Sequence, residues 1–460
     1  MAHEKQQASR LAILGWALFA WATQPYFTLI TTFIYAPYFA SAVVGDATKG
    51  QSIWGFATAA AGIVIAFISP VLGAVADATG RRKPWIAVFG AFLVAGSAAL
   101  WVAKPHEPAT VLPALVAFVV ATIGAEFAHI FCNTMMPTLV PRNKVGSLSG
   151  LGWAVGYVGG MLSLIFALAF LSTNPESGRT LFGFSPILGL DAAAREGDRA
   201  TGPLTAIWFV VFVTPLFLFT PDGKAGHRLL PAIGHGLQAL ADTVRAARRH
   251  RDLWLFLVAN MIYTDGLIAL FAFGGIYGAG QLGWQTIQLG LFGILLTITG
   301  TFGAYVGGKL DDRLGAKVVV LGSLLVLAIC CCGILSVSRD RILFFLEVAP
   351  PQPGSGLFAS TPERLYVALG ALIGMVASPL QAASRTLLVR LAPHDRLAQF
   401  FGLFALSGRL TSFTGPFLVA AVTAATASQK AGISVLIAYF FAGGLLLARA
   451  RVNAGSGARR

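Results

Sequence analysis

Twelve apolar stretches follow one another along this 460-residue chain, and that recurrence restricts the fold more than any motif does. A hydrocarbon core needs about 20 apolar residues per helix, and it holds no water to satisfy an open backbone, so each stretch reads as a membrane-spanning helix. The stretches fall near 11–42, 53–76, 85–103, 111–140, 148–171 and 204–219. Past a polar, arginine-rich segment from Pro221 to Asp252, they resume near 253–278, 287–307, 318–337, 365–391, 398–425 and 433–447. With 56% hydrophobic residues, 11% charged residues and a mean hydropathy of +0.74, the chain has more apolar surface than a water-soluble core can hide. The expected fold is all-α: a polytopic membrane protein with twelve transmembrane helices in two six-helix bundles, 1–221 and 253–460, joined by a basic linker at 222–252.

A net charge of +14 and a pI near 10.0 would point to nucleic acid in a soluble domain. Here lysine and arginine sit between the apolar runs on alternate loops. With a cytoplasmic N-terminus, about 22 of the 33 fall inside and about 9 outside, while the acids show no such asymmetry. The expectation is a multi-pass protein of the cell (inner) membrane with both termini in the cytoplasm and no nucleic-acid partner. The first apolar run is too long for the core of a cleavable signal and is expected to remain as the first helix. In the linker, Arg245, Arg248, Arg249 and Arg251 follow Leu237, Leu240 and Val244. That pattern reads either as a basic amphipathic helix on the anionic inner leaflet or as a solvated linker helix. Segments 172–203 and 338–362 are too polar to span and read as loops with short helical pieces, to which no chemistry is assigned. Cys132, Cys330, Cys331 and Cys332 lie in apolar runs and read as reduced packing residues.

The two halves share a pattern. Gly73-Ala-Val-Ala-Asp77-Ala-Thr-Gly80-Arg81-Arg82-Lys83 follows the second span, and Gly308-Lys-Leu-Asp-Asp312-Arg-Leu-Gly315-Ala-Lys317 follows the eighth, 235 residues later, with identical Gly-x3-Asp-x2-Gly spacing. Repetition of this kind marks a transporter built from two six-helix halves. Gly73, Gly80, Gly308 and Gly315 permit tight turns, Asp77 and Asp312 can cap the next helix, and Arg81 and Arg82 meet the inner leaflet, so a gating role is expected. Pro141-Arg142-Asn143-Lys144 and Pro393-His394-Asp395-Arg396 form a second echo. The small-residue steps Gly152, Gly156, Gly160 and Gly303, Gly307 are expected to pack the halves together, where sliding would permit alternating access.

Three strings carry a more specific resemblance: Trp16-Ala-Leu-Phe-Ala-Trp-Ala with Ala36-Pro-Tyr-Phe-Ala40, Ser149-Gly-Leu-Gly-Trp-Ala-Val-Gly-Tyr-Val-Gly-Gly160, and Gln381 through Pro416, containing Phe400-Phe-Gly-Leu-Phe-Ala-Leu-Ser-Gly-Arg409. Over nearly its whole length the chain resembles the vacuole-effluxer-like branch of the major facilitator superfamily. The resemblance implies the major facilitator fold and export of amino acids. It departs at the first helix, where relatives read Tyr-Asp-Trp-Ala-Asn and this chain has Phe19, Ala20, Trp21, Ala22 and Thr23. If the missing aspartate couples protons in relatives, this chain couples through another acid, works as a facilitator, or is a substituted variant.

An ionisable side chain inside a span costs at least a few kcal/mol on insertion scales and is a functional hypothesis by default. Four qualify: Glu126 and Asp265, which with His129 are the proton-coupling candidates, and Arg385 and Arg409. At helical periodicity Thr122, Glu126, His129 and Asn133 form one stripe facing a water-filled cavity. Burial penalises the charged forms of carboxyl and imidazole alike, which lets Glu126 and His129 exchange a proton near neutral pH; alternatively they only bond each other. Gln24, Thr28, Thr31 and Tyr35 form a second stripe, with Ala20 one turn before it. Gln381 and Arg385 share a face, and Arg385 or Arg409 can hold a substrate carboxylate bidentately or else neutralise Asp265; Asn260 and Tyr263 read as further substrate-binding candidates or as local hydrogen-bond partners of Asp265. Trp153 and Tyr157, one turn apart, read as an aromatic wall for a solute or as lipid-facing and core residues.

No zinc-type spacing, nucleophile elbow or Walker loop occurs, so neither an enzyme nor a cofactor is expected and energy must come from gradients. The leading expectation is a proton-coupled secondary transporter of a small organic solute, acting as a monomer. The alternatives are a cation-coupled importer of sugars or glycosides, which Asp77 to Trp85 also resembles, a transport-inactive receptor or scaffold, and an intramembrane enzyme using Glu126 and His129.

Overall fold

The computed structural model describes residues 8–141, 145–175, 177–223, 238, 241–349, 356–392 and 397–451. The long helices are α1 (Arg10–Pro25), α2 (Ala47–Thr79), α3 (Lys83–Ala99), α4 (Val111–Asn133), α5 (Val145–Phe170), α6 (Thr201–Phe219), α7 (Arg251–Leu282), α8 (Thr286–Leu314), α9 (Ala316–Leu335), α10 (Thr361–Leu391), α11 (Leu397–Leu410), α12 (Thr414–Thr426) and α13 (Gln429–Arg449). Among the described residues, 11 helical spans are continuous and apolar enough to cross a membrane. The expected twelfth, near 398–425, is instead broken between α11 and α12. Pro416 explains the break: it has no N–H for the Ser412 carbonyl, and it is tolerated only in the first turn of α12.

Proline also shapes the first span. After Pro25 the helix widens into π-helical turns at Tyr26–Phe33 and, past a short turn at Tyr35–Tyr38, at Phe39–Val43. Pro25 leaves the Trp21 carbonyl without its helical donor, and the Trp208 indole N–H of α6 fills it at 3.2 Å. In α10, Pro379 likewise frees the Met375 carbonyl, and Gly303 of α8 lies directly against that carbonyl, where any Cβ would clash.

The chain forms two compact units: Met1–Gly50, Phe67–Leu237 and Gln285–Gly290 in one, Gln51–Ala66, Gln238–Trp284 and Leu291–Arg460 in the other. In the first, α1 packs on α5 and α6, and α3 on α4. Gly152 faces the Trp16 ring, Gly156 faces Ala20, and Gly160 faces Gln24 and Thr28, so these glycines seat α5 on α1. Gly303 and Gly307 seat α8 on α10 inside the second unit. The expectation that they pack one half against the other is therefore corrected. Other glycines, which the pattern did not single out, allow close approaches inside the second unit. In the second unit a Cβ on Gly55 of α2 would meet Ala420 at 2.7 Å, and one on Gly62 would meet Phe413 at 2.9 Å. Gln51 also donates to Thr423 Oγ1 at 2.9 Å.

The paired turn motifs hold in part. Gly80 and Gly315 have φ of 66° and 85°, the left-handed turns that glycine permits. Asp312, however, is exposed and caps nothing; Asp311 is the buried carboxylate, 3.4 Å from Arg390. In the first copy Asp222 caps α3, accepting from the backbone N–H of Arg82 at 2.8 Å and of Lys83 at 3.3 Å. The Arg82 guanidinium donates to the Gly80 carbonyl. Gly73 and Asp77 fall where side chains lie outside the described residues, as do 142–144 and 393–396 of the second echo.

Segment 172–203 carries chemistry that sequence reading missed. Asp198, on the short helix Glu196–Arg199, is 2% exposed; it accepts from Arg195 Nε at 2.7 Å and Thr286 Oγ1 at 3.1 Å. Arg199 lies 4.3 Å over the Trp101 ring and donates to its carbonyl at 2.8 Å. Segment 338–362 holds a two-stranded hairpin, β1 (Arg341–Ile342) with β2 (Leu346–Glu347), the one sheet among the described residues. In the linker, 241–249 is helical with Arg245, Arg248 and Arg249 exposed, while Leu237 and Leu240 lie outside the described residues. All four cysteines are free, Cys332 exposed and the others buried.

Candidate functional site

In the first unit, α4 presents Thr122, Glu126, His129 and Asn133 on successive turns, the first three half-buried and Asn133 exposed. The stripe is held against the first span by two anchors. Tyr26 Oη lies 2.6 Å from Thr122 Oγ1 and donates to the Phe118 carbonyl at 3.2 Å, and the Trp16 indole donates to the Cys132 carbonyl at 2.9 Å. The His129 ring stands edge-on to Phe19 with centroids 5.2 Å apart. The imidazole thus sits against aromatic neighbours, and the acid lies one helical turn from Thr122, the partner of the Tyr26 hydroxyl.

Gln24 and Thr28 pack against Gly160 of α5: a Cβ there would sit 2.6 Å from both side chains. Thr31 is half-buried and bonded to the Phe27 carbonyl at 2.7 Å. Tyr35 does not line a site, because it is wholly buried and donates to the Leu100 carbonyl at 2.8 Å. Trp153 and Tyr157 are 45% and 39% exposed with centroids 5.8 Å apart, so they are accessible rather than core residues.

In the second unit, Asp265 of α7 is 1% exposed and accepts from Thr414 Oγ1 at 2.7 Å; the Tyr439 hydroxyl donates to the same Thr414 oxygen at 2.9 Å. Among the described residues no arginine pairs with Asp265, so the neutralising role considered for Arg385 and Arg409 is not what the structure shows. Arg385 is exposed on α10, while Gln381 on that helix and Arg409 on α11 are half-buried. Asn260 and Tyr263 are core residues at 3% and 2% exposure, Tyr263 bonded to Ser384 Oγ at 2.7 Å. Sequence reading missed Thr411 and Thr414; the signal was there in Thr411-Ser-Phe-Thr-Gly-Pro416, a helix breaker set among hydroxyls.

Residues 40–459 match the family described as vacuole effluxer Atg22 like. The chain belongs to that family. Among curated relatives it is 23% identical over 440 residues to the uncharacterized MFS-type transporter YxiO of Bacillus subtilis, covering 94% of this chain and 93% of that protein. It is 24% identical over 289 residues to autophagy-related protein 22-1 of Penicillium rubens, covering 60% of this chain but only 44% of that longer protein. Its fold is similar to a mutant of the nucleoside transporter NupG (TM-score 0.64, 13% identity, 95% of this chain and 98% of that one). It is also similar to inward-open XylE, a xylose transporter from E. coli (TM-score 0.60, 14% identity, 97% and 96%). The fold is that of the major facilitator transporters, and the chain is a multi-pass membrane protein of a transporter family.

Proposed function

We propose that this protein exports a small organic solute, an amino acid or related carboxylate, by alternating access, exchanging it for protons carried through Glu126 and His129. The observation that carries this reading is the α4 stripe: a half-buried acid and imidazole one turn apart, set beside the Tyr26–Thr122 hydroxyl pair. Membrane-embedded ionisable groups of this kind relay protons in transporters. Arg385 and Arg409 supply the guanidinium chemistry that a carboxylate substrate needs. The basic loops favour an inner-membrane protein with cytoplasmic termini, working as a monomer with its 241–249 helix on the anionic leaflet. The test is counterflow into proteoliposomes preloaded with single amino acids or sugars. Exchange of an amino acid supports the reading, and exchange of sugars alone overturns it.

One observation favours a second reading, cation-coupled import of a sugar or glycoside: the exposed Trp153–Tyr157 pair offers an aromatic face on which a sugar ring would stack.

A further inference from the structure

The break in the eleventh span leaves buried oxygen atoms with no hydrogen-bond partner among the described residues. Asp265 Oδ2 takes the Thr414 hydroxyl, but Oδ1 is buried and accepts no hydrogen bond of normal geometry among the described residues. Thr411, at the other side of the break, stands beside the same carboxyl, and its Oγ1 is also buried without a bond of normal geometry. Gly415 makes the approach possible, since a Cβ there would sit 2.5 Å from the Asp265 carbonyl oxygen. The Tyr439 hydroxyl donates to Thr414, so the Thr414 proton is committed to Asp265 and its oxygen is held in place.

Three properties identify the ligand. A buried lone carboxylate costs several kcal/mol, and among the described residues no basic side chain pairs with it, so a proton or a bound cation must neutralise it. Two oxygens that share a proton lie about 2.5–3.0 Å apart, whereas a hard cation stands about 2.3–2.6 Å from each of its oxygens and holds them farther apart. The unbonded Oδ1 and Oγ1 suit the second case. The donors are all oxygen, and among the described residues no cluster of three His, Cys, Asp or Glu exists to favour a transition metal. A divalent ion would leave one charge unbalanced beside a single carboxylate.

We infer that Asp265, Thr411 and Thr414 bind a sodium ion at the break, tying α11 and α12 to α7. Unwound segments of discontinuous membrane helices serve this purpose in other transporter folds. The inference is independent of the substrate and of the Glu126 proton path, and its test uses neither.

The experiment measures the melting temperature of the purified full-length protein in detergent at constant ionic strength, replacing choline chloride stepwise by sodium chloride, with binding of radiolabelled sodium measured alongside. Sodium should raise the melting temperature saturably and labelled sodium should bind. Thr411→Val should weaken the apparent sodium affinity by about tenfold, equivalent to about 1.4 kcal/mol, and Asp265→Asn should abolish the response. A folded Asp265→Asn or Thr411→Val protein with an unchanged sodium response would overturn the proposal. So would a wild-type protein whose stability follows pH but not sodium, which would make Asp265 a proton site. Should Asp265→Asn not fold, Thr411→Val and the labelled-sodium measurement decide alone.

Discussion

Lys83 Nζ donates to the Phe217 carbonyl at 2.8 Å, fastening the turn after the second span to the C-terminal end of α6. Lys317 repeats the arrangement in the other half, donating to the Ala448 and Ala450 carbonyls at 3.0 and 2.7 Å beside the end of α13. Each lysine meets carbonyls that a helix C-terminus leaves unpaired, where positive charge is favoured. Lys83→Met and Lys317→Met should each lower stability by about 1 kcal/mol and slow transport without changing substrate preference. Melting curves and initial rates measure this, and wild-type rates in both variants would show that neither lysine contributes to the conformational cycle.

Gly160 carries the polar stripe of the first span. Gly160→Val would press on Gln24 and Thr28, and overpacking of this kind costs about 1–3 kcal/mol. Transport should fall at least about tenfold. Gly150→Ala is the control, because nothing lies within 4 Å of a Cβ there. Equal rates in the two variants would mean that Gln24 and Thr28 do not serve the substrate.

Asp198 is the structural charge to remove. With Arg195 beside it and 2% exposure, Asp198→Asn should cost about 3–5 kcal/mol by leaving a cation unmatched. Arg341→Ala, on an exposed pair, should change stability by less than about 1 kcal/mol. Chemical denaturation in detergent separates the two, and equal small effects would show that the Asp198 cluster is solvated.

Arg385→Ala should weaken transport of a carboxylate-bearing substrate about tenfold more than that of its neutral amide. Inhibition constants for the acid and amide of one compound measure the difference, and a uniform loss would make Arg385 a general electrostatic residue.

The spans were legible because a bilayer leaves the backbone no alternative to helix, and both glycine turns were legible because a positive φ selects glycine at Gly80 and Gly315. Tertiary partners were not. Asp222, 140 residues from the helix it caps, and Asp311, one residue from the motif's aspartate, depend on which face packing buries. Helical spacing placed Tyr35 on a polar stripe, but the π-helical turns after Pro25 change that periodicity and direct its hydroxyl to Leu100. The glycine steps were legible as close-packing surfaces, yet spacing alone could not say which helix they meet.

The most direct test of coupling through Glu126 is proton flux measured with a pH-sensitive dye sealed inside proteoliposomes, as an exchangeable amino acid is added outside without an imposed gradient. Wild-type protein should move protons opposite to the substrate, and Glu126→Gln should exchange substrate while moving none. Proton movement that persists in Glu126→Gln, or substrate exchange by wild-type protein with no proton movement at all, would contradict the assignment.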